Sequence, residues 1–479
     1  MLSYQEIIGV VVVLGALWSF FSRRPKNAPP TASIGLPIIG NYIEFAKNPI
    51  SFMHLGLKKH GPIFTVPMLH KKLTFLMGPE ASAPFFKLSD SYMSQPEVYG
   101  FMTYVFGKGV VYDAEPKKRV QQMQHMSTAL RSHRLKAYVP KIEDECVKFF
   151  EKWGDSGEIN LLDALSQLTI LTASRCLHGD DVRENLFEEV SRVFHDLDNG
   201  VTPLSFFFPG APTAAHRCRD KARLEMVKIF SKVINDRREA KADSNERVDI
   251  LQVFIDLKYK DGSVLSDEEI VGLLIALLFA GQHTSSITST WTAFFLIFNK
   301  QCQEKVLNEQ KSVVGDKSEL DFDDLAQMGY LQDCVKESLR LHPPLIMLMR
   351  MCMQDCETTF EGKKYVIPKG DIVVTSPAAA GRMDTVFTNP DAFEPERFGE
   401  ERAEHKTQFA YLAFGGGMHA CMGQQFGLLQ VKVIMSILFR NFKFEPVVDE
   451  FPEPDYTAMV VGPKTNLRVK YTKLPGAFL

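Results

Sequence analysis

Ten residues near the C-terminus carry the strongest chemical signal in the chain: Phe414-Gly415-Gly416-Gly417-Met418-His419-Ala420-Cys421-Met422-Gly423. Three successive glycines let backbone approach a neighbour closely and adopt positive φ. The stretch from Gln424 to Phe439 is amphipathic, so Cys421 is expected to open a helix. A cysteine at a helix start gains from the unpaired N–H groups there, which favour its thiolate. The bland alternative is a buried structural thiol, the common fate of a free cysteine.

Two further segments have chemistry-bearing spacing. Glu337-Ser338-Leu339-Arg340 places opposite charges three residues apart, on one helix face where they can pair. Glu189 to Arg192 and Glu394 to Arg397 share that spacing, but only Glu337 is followed by His342-Pro343-Pro344 and then by Pro395-Glu396-Arg397-Phe398 upstream of the cysteine loop. The apolar stretch Asp267 to Asn299 is long enough for a helix crossing a whole domain. Its middle reads Ala280-Gly281-Gln282-His283-Thr284-Ser285. Glycine costs about 1 kcal/mol there relative to alanine, and the hydroxyls can divert to backbone carbonyls and loosen the turn. A kinked core helix is the plain reading of that segment.

Other chemistries lack their signatures. The eight cysteines fall at 146, 176, 218, 302, 334, 352, 356 and 421, with no CxxC pair, so neither a disulfide framework nor a zinc site is indicated. No GxGxxG follows a strand and no GxxxxGK[ST] occurs, which argues against dinucleotide and P-loop enzymes.

The cysteine segment fits FxxGxxxCxG and resembles the haem-binding loop of the cytochrome P-450 family. The resemblance implies that Cys421 is the axial ligand of a haem b iron, a thiolate that pushes electron density onto the metal and favours O–O cleavage. It implies that Glu337, Arg340 and Arg397 form a buried structural ion network. Thr284 would hydrogen-bond the bound dioxygen and help deliver protons, with His283 beside it. A histidine before that threonine resembles the sterol 14α-demethylases within the family, where most members have Asp or Glu. The loop Tyr99 to Asp113 and the C-terminal Pro454 to Gly462 resemble the same group.

By that resemblance Phe101, Met102, Phe106, Val111, Ala276, Phe279, Ala280, Leu345, Met347, Met349, Met459 and Val460 line a sterol cavity, and Tyr99, Tyr112, Arg350 and His419 meet the haem propionates. Phe101 would lie above the sterol A ring, where plant and some protozoan members carry Phe and animal and fungal members Leu. The implied reaction is three successive O2-dependent oxidations of the 14α-methyl group of a sterol, releasing formate and leaving a 14,15 double bond. Electrons would come from NADPH through a separate cytochrome P-450 reductase, and azole-type inhibitors would bind. The sequence departs from the group at Tyr104, where proline is usual, and at Met418, where many members have arginine. The helix after Tyr112 offers Lys117, Lys118 and Arg119 but no propionate-binding cation that aligns. The rival readings are a monooxygenase of fatty acids or foreign compounds, a haem-thiolate isomerase or lyase, and a non-catalytic haem or sterol carrier.

The elements that must position these residues are mostly helical. Val139 to Trp153 and Arg223 to Arg237 have helical periodicity, whereas Ile63 to Val66, Leu73 to Met77, Tyr365 to Ile367 and Ile372 to Val374 read as strands. The class is mainly α with small β-sheets, and the resemblance implies the cytochrome P-450 fold, with haem between the long central helix and the cysteine-loop helix. The 479 residues are 45% hydrophobic and 24% charged, an ordinary globular composition. Lys plus Arg number 55 against 58 Asp plus Glu, a balance that disfavours nucleic acid as a partner. Ile7 to Phe21 is an uncharged apolar run followed by Arg23, Arg24 and Lys26. That charge order predicts an uncleaved anchor over 1–24 with the body facing the cytosol, at the endoplasmic reticulum membrane by the resemblance. A cleaved signal peptide and a buried core helix compete. Residues 25–40 read as a proline-rich hinge and 41–479 as one monooxygenase domain; Ala240 to Glu246 is a short polar loop. Lys117, Lys118, Arg119, Lys432 and Arg440 could dock an acidic redox partner.

Overall fold

The computed structural model describes residues 24–32, 40–130, 132–239, 249–315, 317, 319–464, 468–475 and 477. They form two compact units. One comprises the described residues up to Tyr99 with those of Leu345–Ala392 and Glu400–Cys421; the other comprises the described residues of Gly100–Pro344, Phe393–Gly399 and from Met422 onward.

The first unit is built on strands β1 (Ile63–Met68), β2 (Lys71–Leu76), β3 (Met93–Ser94), β4 (Leu348–Cys352), β5 (Cys356–Phe360), β6 (Lys363–Ile367) and β7 (Ile372–Thr375). Five of them form one sheet in the order β1-β2-β7-β4-β3, in which only β2 and β7 run parallel. β5 and β6 form a separate hairpin. The two strands flanking Pro368 to Asp371 therefore enter different sheets, with Gly370 at φ 87° turning the chain between them. Helix α1 (Pro79–Lys87) sends Phe85 and Phe86 into a core with Ile63, Leu76, Met93, Val373 and Leu412.

The described part of the proline-rich stretch is docked on this sheet. Thr65 N donates to Pro30 O at 2.9 Å, Ala32 N donates to Thr65 O at 2.7 Å, and Arg24 meets the buried Asp371 at 2.6 Å. The anchor and the loop Ala240 to Glu246 lie outside the described residues, apart from Arg24.

The second unit is helical. It contains α2 (Leu161–Ala173), α3 (Phe187–Asp198), α4 (Ala214–Glu239), α5 (Asp267–Phe298), α6 (Gly329–Leu341) and α7 (Gln424–Asn441). The 32-residue α5 starts on a capping box, Ser266 with Glu269, and packs against α2, α4, α6 and α7. It is long and apolar enough to cross a membrane, yet twenty of its residues are buried within the unit. A helix apolar on every face belongs in such a core. A small sheet of Ser156–Asn160, Arg468–Lys473 and Phe442–Pro446 lies in the same unit.

Helix α2 ends in a π-helical turn, Ser174–His178, that buries His178 edge-on to Phe230. Burial pushes His178 down to about 4; a backbone contact at Leu274 opposes this and Arg237 adds to it. The unfolded chain therefore takes up a proton below about pH 6.5 that the folded chain refuses until about 4. This residue's contribution is complete above pH 6.5 and fades as the pH falls, by about 2 kcal/mol at pH 5. Glu143, pushed up to about 7 by burial, acts in the opposite sense. His178→Gln should thus flatten the loss of stability between pH 7.5 and 5, measured by urea unfolding. An unchanged pH slope would show that His178 is not the titrating group.

Candidate active site

In the first unit the glycine-rich loop is shaped by α1. Gly415 and Gly417 have φ of 70° and 64°, and a Cβ on Gly417 would lie 2.3 Å from the Phe86 carbonyl oxygen. No other residue type fits there without moving backbone. Phe86 stacks on Phe409 at 4.7 Å, which fixes the surface the loop lies on. Cys421 N donates to Phe414 O at 2.8 Å, closing the loop on itself. Gly417–His419 form a short 3-10 turn, and α7 begins at Gln424. Cys421 therefore precedes the helix by three residues and does not open it.

Exposure separates this thiol from most of the others. Cys146, Cys176, Cys302, Cys334, Cys352 and Cys356 are buried, while Cys218 and Cys421 are exposed. Burial pushes the Cys146, Cys176, Cys302 and Cys334 thiols up, so they stay protonated. Cys218 lies within α4 and has no glycine loop beside it. A recess next to the cysteine loop is lined by Gly415, Gly416, His419, Arg350, Tyr99, Gln95 and Met349 with Phe85 and Phe86. Arg350 is buried with its guanidinium 4.8 Å from the Phe85 ring, and Tyr99 Oη accepts from Met349 N at 3.3 Å. His419 Nε2 lies 2.6 Å from Asp90 Oδ1. Met347 is half-buried and Leu345 exposed in the same unit.

In the second unit, Glu337, Arg340 and Arg397 are brought together with side chains fully buried. Arg340 Nε and Nη2 donate to the two carboxylate oxygens of Glu337 at 2.7 and 2.8 Å. Arg397 Nε donates to Oε1 at 2.8 Å, and Glu394 N donates to the same oxygen at 2.9 Å. The downstream His342 stacks on Trp291 of α5 at 3.8 Å. Val461 N then donates to Pro344 O at 2.8 Å, and Asp455 N donates to Gly462 O at 2.7 Å. This holds the C-terminal hairpin, with exposed Met459 and half-buried Val460, near Ile287 of α5.

The middle of α5 carries the remaining candidates. Thr284 Oγ1 donates to Ala280 O at 2.5 Å, the diverted hydroxyl expected from the sequence. His283 Nε2 lies 3.1 Å from Asp198 Oδ1 at the end of α3, with both side chains about a quarter exposed. Sequence reading missed Asp198, because nothing local marks a carboxylate 85 positions away as a partner. Phe279 meets Phe106 and Phe194 at 6.0 and 4.7 Å; Phe106 also meets Tyr112, and Phe101 meets Phe206 edge-on at 5.9 Å. Met102 and Ala276 are half-buried and Ala280 exposed along the same surfaces. Burial raises the Tyr112 hydroxyl, with Arg119 opposing.

Val111 has φ 50°, a costly conformation for a β-branched residue. Gln122 holds it there: Val111 N donates to Gln122 Oε1 at 3.3 Å, and Gln122 Nε2 donates to Gly109 O at 2.9 Å. Tyr104, the departure noted in this loop, lies under the Arg219 guanidinium at 4.6 Å.

The docking set needs correction. Lys432 is buried, with its ammonium on the Leu325 carbonyl, and burial pushes it down to about 8. Arg440 donates to the Lys317 carbonyl. Lys432 follows the apolar stripe of α7 inward and is unsuited to a docking surface, whereas Arg440 is half-buried at the end of that helix. Lys117 is exposed, and Lys118 lies over the Tyr259 ring.

A sequence model of the cytochrome P450 family matches residues 29–471. The chain belongs to the cytochrome P450 family. This P450 is 48% identical to a sterol 14-demethylase of Arabidopsis thaliana, over 98% of this chain and 96% of that one. It is 47% identical to an obtusifoliol 14-alpha demethylase of Sorghum bicolor, over 98% and 95%. Against a lanosterol 14-alpha demethylase of Mus musculus the identity is 40%, over 93% and 88%. The structure of retinoic acid bound cyanobacterial CYP120A1 superposes with a TM-score of 0.83 at 25% identity, covering 94% of this chain and all of that one. The fold is thus the P450 fold and the protein a haem-thiolate monooxygenase, whose electrons come from a redox partner. The residues present fit such a cofactor: an exposed cysteine thiol ends a glycine cradle that a Cβ would fill, beside His419, Arg350 and Tyr99 as anion-binding donors.

Removing one partner of a buried ion network costs about 3–5 kcal/mol, because the other charge stays buried. Arg397→Ala is therefore expected to lower the urea midpoint sharply and the haem-to-protein ratio with it. Arg397→Lys should not restore either, since lysine lacks the planar fork. A parent-like midpoint in Arg397→Ala would remove the network's structural role.

Proposed function

We propose that this P450 is a sterol 14α-demethylase acting on a 4α-monomethyl sterol. The observation carrying the reading is near full-length identity of 47–48% to plant sterol and obtusifoliol 14-demethylases, against 40% to a mammalian lanosterol 14-demethylase. Each of three turnovers consumes O2, two electrons and two protons; the 14α-methyl group becomes an alcohol, then an aldehyde, then leaves as formate. Haem, which Cys421 would hold, would supply the oxygen activation, and His419, Arg350, Tyr99 and Tyr112 would meet its propionates. Electrons come from an NADPH-dependent reductase, and azole-type nitrogen ligands compete at the same cofactor. An N-terminal anchor over 1–24 holds the enzyme on the endoplasmic reticulum membrane, its catalytic part in the cytosol.

The chain's own contribution to chemistry is positioning and proton supply. Asp198 and His283 are partly exposed and 3.1 Å apart, though not aligned as a hydrogen bond, so a turn of the imidazole would join them into a route for a proton from solvent to the middle of α5. Thr284 is the next residue, and its hydroxyl can leave the Ala280 carbonyl to donate at the reacting oxygen. The aromatic groups Phe101, Phe106 and Phe279 give a rigid apolar ligand flat surfaces and exclude water.

Incubation with a P450 reductase, NADPH and a panel of 14α-methyl sterols tests the reaction. Formate and a Δ14 sterol are expected; hydroxylated fatty acids in their place would favour the rival monooxygenase reading. Phe101 is packed edge-on against Phe206 and has little freedom to yield. Its ring is expected to disfavour a second C4 methyl by about 10- to 200-fold in kcat/KM. Phe101→Leu should shift preference toward 4,4-dimethyl sterols; no shift would clear position 101 as the selector. Asp198→Ala should lower kcat about 10-fold or more while sterol affinity is kept, with a raised solvent isotope effect. Normal kcat and coupling in that variant would sink the Asp198–His283 route.

A further inference from the structure

Asp90 joins the two donors that line the recess beside the cysteine loop. Its Oδ1 lies 2.6 Å from His419 Nε2 and 3.8 Å from Arg350 Nη1. The two donors come from different elements, one from the cysteine loop and one from β4. Asp90 sits between these elements in a stiff turn after α1. Tyr92 N and Met93 N both donate to Ser89 O at 2.9 Å, and the Ser89 and Ser91 hydroxyls lie 2.7 Å apart. The turn is tied to the chain leaving β4, because Met353 N donates to Tyr92 O at 2.8 Å and Met93 pairs with Cys352. On its other side, α1 supplies the Phe86 carbonyl against which Gly417 is pressed. The carboxylate is thus delivered by backbone, not by a free loop tip.

We propose that Asp90 is a haem-positioning residue: its carboxylate hydrogen-bonds the His419 imidazole and draws on the Arg350 guanidinium by charge, so that both are aimed at one propionate before the cofactor arrives. The proposal rests on the haem reading of Cys421. Arg350 lies 3.8 Å from Asp90, beyond hydrogen-bond reach, so the carboxylate orients this guanidinium by charge rather than by occupying its donor fork. His419 lines the recess while its Nε2 is engaged by Asp90, which fixes the plane of the ring there. Where a histidine ligates a metal, a carboxylate behind it fixes ring orientation and its loss typically costs 10- to 100-fold in metal affinity; the Asp90–His419 pair has the same carboxylate–imidazole form. The opposite possibility is that Asp90 competes with the propionate for the same donors, so that its removal would tighten haem.

The test uses full-length holoprotein carrying Asp90→Asn, which keeps shape and removes charge, and Asp90→Glu as the conservative rescue. Haem loss is followed by transfer to excess apomyoglobin, and propionate hydrogen bonding by the propionate bending bands in resonance Raman spectra. Far-UV circular dichroism controls for folding. Asp90→Asn is expected to lose haem about 10-fold faster, with shifted propionate bands and an unchanged thiolate-type carbon monoxide spectrum; Asp90→Glu should recover part of both. Haem loss and propionate bands equal to the parent's, or slower haem loss, would overturn the proposal. Absence of the thiolate spectrum in the parent would instead overturn the haem reading itself.

Discussion

One carboxylate organises the helical unit. Glu337 accepts from two guanidiniums and a backbone N–H while its side chain is shut off from solvent. A single buried acid would be intolerable, and a single buried arginine equally so; together they are satisfied in a geometry that little else meets. The consequence is directional. Helix α6 and the short turn Pro395–Phe398 are locked to each other, and the chain leaving α6 must pass His342 onto Trp291 of α5. The C-terminal hairpin is hung from the next prolines through Val461. The packing around the central helix thus depends on an interaction that contributes nothing chemical.

The cysteine loop answers a different problem, that of keeping a thiol exposed beside a backbone cradle when six of the eight are buried. Six are buried, and at Cys146, Cys176, Cys302 and Cys334 burial favours the protonated form. Cys421 is kept at the surface by glycines that let its loop lie directly on the Phe86 carbonyl. Reactivity here follows from where the backbone can go, not from a neighbouring base.

Much of this was legible in the sequence because it is local. The glycine loop, the i, i+3 pair Glu337 and Arg340, the long apolar α5 and most helical stretches all announce themselves within a few turns. What stayed hidden depends on partners far along the chain. Asp198 reaches His283 across 85 positions and Asp90 reaches His419 across 329, and no spacing rule spans such gaps. Two strands around Pro368 to Asp371 read as strands, but pairing is settled by distant edges, so they part into different sheets. Lys432 read as a surface cation because charge says nothing of which way a helix turns; the buried stripe of α7 carries it inward. Cys421 was placed on a helix it only precedes, since periodicity cannot resolve an end to within a turn.

Val111 shows what the unusual backbone of the Tyr99 to Asp113 loop costs the protein. A β-branched residue at positive φ costs on the order of 1–3 kcal/mol, and the Gln122 clamp enforces it. Glycine at 111 would relax the backbone, yet it would strip two methyl groups from the loop and free its hinge. The strained valine thus lowers the thermodynamic margin, while its methyl groups and the Gln122 clamp fix the form of the loop. Stabilised variants of this enzyme are therefore better sought in the small sheet of Ser156–Asn160 and its neighbours than in this loop, where every gain in ease is a loss in form.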